Sequence, residues 1–158
     1  MDSGADIFLK NKRGDSALSL LADRHKDNDS ILKILEMFEN SESWKFSNYK
    51  KELRENYQIL LKAVEKNNTA LIKWLIKSGV NVDNRYENVD GDGDFDGYVQ
   101  DTGQHRLETA LTVAIRSDMV YSTAVAKVLI DCGANVNLDY DEGPPLYKAI
   151  LREYVWGK

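Results

Sequence analysis

The chain has 158 residues, 42% of them hydrophobic and 30% charged, with a formal net charge of −5 at pH 7. That is one domain's worth of chain with enough apolar side chains for a core, and its acidic balance argues against the basic face that nucleic acid or an anionic membrane needs. The single cysteine excludes an internal disulfide and fits a reducing compartment, and neither a signal peptide's basic and apolar regions nor the roughly 20 apolar residues of a membrane span is found, so a cytoplasmic protein is expected.

The first unit, about residues 4–40, opens with Gly4-Ala5-Asp6-Ile7. Ser16-Ala17-Leu18-Ser19-Leu20-Leu21-Ala22 reads as a first helix and Ser30 to Phe38 as a second, with a polar turn between them. An insertion follows, about residues 41–56. Phe46, Tyr49, Leu53 and Tyr57 recur there at helical spacing, with Lys50, Lys51, Glu52, Arg54 and Glu55 between them. The pattern predicts an amphipathic helix packed on the rest of the molecule. Trp44 stands just before it as a candidate contact, because an exposed aromatic side chain is a frequent binding hot spot.

The second unit, about 57–85, carries the clearest pattern. Tyr57 to Lys66 reads as a helix, Asn67-Asn68-Thr69 as a turn with Thr69 as the expected N-cap, and Ala70 to Lys77 as a second helix. That second helix is apolar on most sides through Leu71, Ile72, Trp74, Leu75 and Ile76, which implies burial on more than one face. Gly79 supplies the left-handed residue that stops it.

A second insertion, about 86–106, contains Asp92-Gly93-Asp94-Phe95-Asp96-Gly97-Tyr98. Asp92, Asp94 and Asp96 match positions 1, 3 and 5 of an EF-hand calcium loop, with Gly97 at the sharp turn and Tyr98 as a backbone ligand. Gly103 stands where the bidentate Glu belongs. A solvated acidic loop is therefore expected, with a weak calcium site as the alternative.

The third unit, about 107–138, has an expected first helix over Leu107 to Ile115 and a second over Ala124 to Ile130, ending in Cys132-Gly133-Ala134-Asn135-Val136-Asn137. The fourth, about 143–158, begins Gly143-Pro144-Pro145-Leu146-Tyr147 and offers one helix, for which the prolines suit the first turn. Ala70 to Asp83 and Ala124 to Asn137 are copies of one segment, and self-similarity on this scale marks a stacked-repeat protein.

These units resemble ankyrin repeats. Ser16-Ala17-Leu18-Ser19, Gln58-Ile59-Leu60-Leu61, Thr109-Ala110-Leu111-Thr112 and Pro144-Pro145-Leu146-Tyr147 stand at that family's Thr-Pro-Leu-His position, and Gly133-Ala134-Asn135-Val136-Asn137 matches the segment after its second helix. No unit keeps the tetrapeptide intact. Gly79 and Gly133 lie 54 residues apart where about 33 is usual, so roughly 20 residues are inserted between them. The resemblance implies an all-α fold over residues 1–158, an ankyrin-like solenoid of stacked helix pairs with β-turn fingers. It also implies a non-catalytic protein-binding module. Its contact candidates are Asp83, Asn84, Arg85, Tyr86, Asn137, Asp139, Tyr140 and Asp141 on the fingers, and Glu65, Lys66, Arg116 and Ser117 on first helices.

The acidic insertion suggests a basic protein partner. His25 and His105 lack second ligands at metal spacing, and Cys132 beside Asp131 reads as a small hydrophobe. No cofactor is expected, and no nucleic acid or membrane partner. The alternatives are a calcium-responsive binding module built on Asp92–Asp101, and a binding fragment of a larger enzyme.

Overall fold

The computed structural model describes residues 6–23, 28–40, 51, 53, 58–88, 106–116, 122–138 and 143–156. These form seven helices: α1 (Ala17–Ala22), α2 (Asn28–Glu39), α3 (Gln58–Glu65), α4 (Thr69–Lys77), α5 (Ala110–Arg116), α6 (Ser122–Asp131) and α7 (Pro145–Trp156). Two short strands, β1 (Tyr86–Asn88) and β2 (Arg106–Glu108), pair antiparallel with Tyr86 opposite Glu108 and Asn88 opposite Arg106. The molecule is helix-rich, and this ribbon is its β structure among the described residues.

The helices lie in two rows. In one, α1 packs on α3, α3 on α5 and α5 on α7; in the other, α2 packs on α4 and α4 on α6. The rows are joined where α3 packs on α4 and α5 on α6. Two surface ion pairs tie successive members of each row: Lys62 to Asp23 at 2.7 Å in the first, and Lys77 to Glu39 at 3.9 Å in the second. Such exposed pairs contribute about 0–1 kcal/mol each, so packing carries the stack. The core runs along the seam, through Leu18, Leu35, Leu60, Leu71, Ile72, Leu75, Leu111 and Leu129, all nearly inaccessible to water. Leu53 from the first insertion joins it, fully buried.

Local sequence explains how each pair starts and stops. At the head of α1, Ser16 Oγ accepts from Ser19 N–H at 3.1 Å, and Ser19 Oγ accepts from Ser16 N–H at 2.9 Å. Thr109 and Thr112 repeat this at the head of α5, at 3.2 and 2.8 Å. Each hydroxyl satisfies a backbone donor that the helix start leaves without an intrahelical partner. At the tails, Gly79 N–H donates to Ile76 C=O and Val80 N–H to Leu75 C=O, while Gly133 and Ala134 make the same bonds to Ile130 and Leu129. This double closure requires a positive φ, found at +105° for Gly79 and +94° for Gly133. Asn67, at φ +54°, closes α3 in the same way.

Several boundaries differ from the sequence expectation. Leu107 and Glu108 lie in β2, because their backbones pair with Glu87 and Tyr86 before the Thr109 cap starts the helix. The N-cap of α4 is Asn68 and not Thr69. Its side-chain oxygen accepts from Leu71 N–H at 3.1 Å, while its Nδ2 donates to Leu21 C=O at 3.0 Å in the tail of α1. A cap that also bridges two elements of the stack outcompetes its neighbour. The one helix of the fourth unit runs from Pro145 to Trp156. Cys132 is half-buried, less enclosed than a core residue. Among the described residues, no helix is long and apolar enough to cross a membrane.

Candidate functional site

Three turns of one geometry recur along the chain. Asp6, Asn81 and Asn135 each accept, through a side-chain oxygen, the N–H two residues on: Phe8 at 2.9 Å, Asp83 at 3.0 Å and Asn137 at 2.9 Å. The backbone carbonyl of the same residue accepts from the third residue on, Leu9, Asn84 and Leu138 respectively. A short side chain that imitates a backbone turn explains why Asp or Asn stands at each start. In the first two turns the residue after it, Ile7 or Val82, is buried and anchors the turn to the core, whereas Val136 in the third is exposed.

Successive turns are linked. The carboxylate of Asp83 accepts the backbone N–H of Asn135 at 3.0 Å, across 52 residues of sequence. The second and third units therefore present their closing turns side by side in fixed register. A charged acceptor on a backbone N–H makes this among the stronger bonds of the exposed surface.

The first turn continues into a closed finger. Asn11 Oδ1 accepts from Arg13 N–H at 2.8 Å and Asp15 N–H at 3.0 Å, and Asn11 N–H donates to Asp15 C=O at 2.8 Å. Lys10, Lys12 and Arg13 stand exposed on it. This basic finger was not among the sequence candidates. Its signal was present as Asn11 and Gly14 bracketing two cations, a turn composition within a charged run.

The sequence candidates fall in two places. Asp83, Asn84, Arg85 and Asn137 lie on or beside the linked turns; Arg85 and Asn137 are exposed, Asp83 and Asn84 half-buried. Tyr86 begins β1, at the base of the second insertion. Glu65 and Lys66 close α3, and Arg116 closes α5. Because α3 and α4 pack together across a connection of only three residues, the tail of α3 lies at the opposite end of its pair from the turn that follows α4. The structure thus brings the turn candidates together and separates them from Glu65, Lys66 and Arg116. Trp44, Ser117, Asp139, Tyr140 and Asp141, and the calcium candidates Asp92, Asp94, Asp96 and Tyr98, lie outside the described residues.

On the turns the acidic side chains are engaged by local donors: Asp6 by Phe8 N–H, Asp83 by Asn135 N–H and Asp15 by Asn11 Nδ2 at 3.4 Å. The cations Lys10, Lys12, Arg13 and Arg85 are exposed. Among the described residues, no group of three or more His, Cys, Asp or Glu side chains is placed to hold a metal ion. The turns form a hydrogen-bonded polar edge that carries exposed cations. No family model, curated protein or solved structure matches the chain.

Proposed function

We propose that the chain is a non-catalytic protein–protein interaction module, an ankyrin-like solenoid that binds a protein partner along its row of turns. The observation that carries this reading is the recurrence of one Asx-stabilised turn at Asp6, Asn81 and Asn135, with Asp83 locking two of them together. Pre-ordered edges of this kind bind with little further loss of conformational freedom. The two-row packing supports the solenoid, because such stacks consume their core in neighbour contacts and leave turns and outer faces for recognition. The reciprocal hydroxyl pairs at Ser16/Ser19 and Thr109/Thr112 support the ankyrin-like reading, since they stand where that family's tetrapeptide stands.

The test is site-specific photo-crosslinking inside cells, with the probe at Arg85 or Asn137 on the turns and at Lys73 on the outside of α4. The expected result is a discrete crosslinked protein from both turn positions and none from position 73. Equal yield at position 73, or no product from either turn, would overturn the reading.

A further inference from the structure

The finger that follows the first turn carries its charge differently from the helices. Lys62 pairs with Asp23 at 2.7 Å, Lys77 with Glu39 at 3.9 Å and Lys127 with Asp131 at 3.6 Å. On the finger Lys10, Lys12 and Arg13 are exposed, and no carboxylate among the described residues pairs with them. The carboxylates nearest in sequence are held by local donors, Asp6 by Phe8 N–H at 2.9 Å and Asp15 by Asn11 Nδ2 at 3.4 Å. Three cations thus stand unneutralised in four consecutive positions of a chain whose net charge is −5.

The loop that presents them is closed in advance. Besides the bonds to Asn11 Oδ1, Gly14 N–H donates to Asn11 C=O at 3.0 Å and Asn11 N–H to Asp15 C=O at 2.8 Å. Gly14 supplies the positive φ of +85° for this closure, and nothing lies within 4 Å of where its Cβ would stand. The tip is therefore both ordered and open to approach. Leu9, beside the cations, is 73% exposed, whereas Asn84 and Leu138, which close the other two turns, are half-buried.

We propose that the Lys10–Arg13 finger binds an acidic linear segment of the partner protein, with carboxylates on the three cations and an apolar residue on Leu9. This rests on the reading of the turns as the binding edge and names the chemistry met at the first of them. Charge complementarity selects the occupant, and Arg13 can take a carboxylate through two parallel hydrogen bonds. The other polyanions fit less well. Nucleic acid carries a phosphate at every nucleotide and needs a broad basic face, which an acidic chain with one cationic loop does not supply. An anionic membrane is held by clusters of about four to eight cations, more than the finger has. A short acidic segment needs only a few charges, and a closed loop loses little freedom in meeting it.

The probe is a short synthetic peptide carrying several glutamates and one leucine, titrated into the full-length chain and followed through its amide NMR spectrum. The expected result is a set of shifts confined to Leu9–Asp15, with an affinity that falls as salt rises. Lys12→Glu or Arg13→Glu weakens binding by about tenfold or more, and Leu9→Ser weakens it as well. Lys73→Glu, at an exposed cation of α4, leaves it unchanged. Circular dichroism checks that the variants stay folded, and Arg13→Gln serves if the reversed charge disturbs the loop. No binding at millimolar peptide overturns the proposal, as does binding that Lys73→Glu weakens equally. Tighter binding to anionic vesicles or to a DNA duplex than to the peptide also overturns it. So does a concentration-dependent dimer that Lys12→Glu disperses, or a shift of the Leu9–Asp15 amides on deletion of residues 89–105, because a second copy or the chain's own acidic segment would then be the occupant. Crosslinks from Arg85 and Asn137 are read separately: they can form while the peptide fails, and fail while the peptide binds the finger.

Discussion

The helices α4 and α6 are two copies of one segment in different company. α4 packs on α3 and lies between α2 and α6, whereas α6 packs on α5 and α4. Where α4 has buried Ala70, Ile72, Trp74 and Ser78, α6 has exposed Ala124 and half-buried Ala126, Val128 and Cys132. The inward leucines do not change: Leu75 is 1% exposed and Leu129 0%. Side-chain volume has followed burial, with Ile72 and Trp74 in the enclosed copy against Ala126 and Val128 in the open one. The seam between rows is thus common to these two units, while the contacts along a row depend on position. Repeat stacks behave in this way because each unit touches only its neighbours.

The comparison is broken most readily at the seam. Leu75→Ala and Leu129→Ala should each destabilise the fold by about 2–5 kcal/mol, the range for emptying a buried leucine site. Ile130→Ala, on the open side of α6, should cost under about 1 kcal/mol. Urea unfolding of the three variants measures this; a small effect at both leucines would show that neither anchors the seam, and a large effect at only one would show the two segments are not equivalent. Next in size is Asn68→Ala, which removes the cap of α4 and the partner of Leu21 C=O together. A loss of about 1–3 kcal/mol is expected from a buried, doubly bonded side chain. In the open copy Thr123→Ala, at the counterpart of Thr69, lies at an exposed residue within α6 and should be close to neutral by the same assay.

The capping pairs give a smaller effect. Thr112→Ala should cost about 1 kcal/mol, because it leaves Thr109 N–H without its acceptor in a buried site. Ser19→Ala removes the same bonds from a partly buried site and should cost less. Thermal unfolding of both variants ranks them, and the reverse order would place the tighter cap in the first unit. Smallest of all is deletion of residues 89–105 with a short glycine link between β1 and β2. The helical circular dichroism signal should be retained, since the paired strands hold the ends of the segment together and loop length adds little entropy. Global unfolding would make the insertion part of the core.

The helices and their tails were legible because their signals are local. An apolar stretch followed by glycine marks α4 and α6 at Gly79 and Gly133, and Asn81 and Asn135 mark the turns that follow. What escaped was set by tertiary contact. Leu107 and Glu108 resemble the start of a helix, and only their pairing with Glu87 and Tyr86 makes them strand. Asn68 and Thr69 are both good caps, and the choice falls to the one whose amide reaches Leu21 in α1. The turn candidates were found through the repeat. The Lys10–Arg13 finger was missed, because exposed charge in a loop carries no periodic signal. The exposure of Leu146 was invisible too, since the same residue is buried as Leu18, Leu60 and Leu111 and only its neighbours differ.

The most direct measurement is amide hydrogen exchange of the intact chain, followed by mass spectrometry over peptides covering α4 and α6. Protection reports the free energy of local opening, and a helix held on both sides of its row opens less often than one held on a single side. The amides of Leu71 to Lys77 should exchange at least about tenfold more slowly than those of Val125 to Asp131, a difference of roughly 1.4 kcal/mol in local stability. Equal protection of the two helices, or slower exchange in α6, would contradict a stack in which each unit is stabilised by its neighbours.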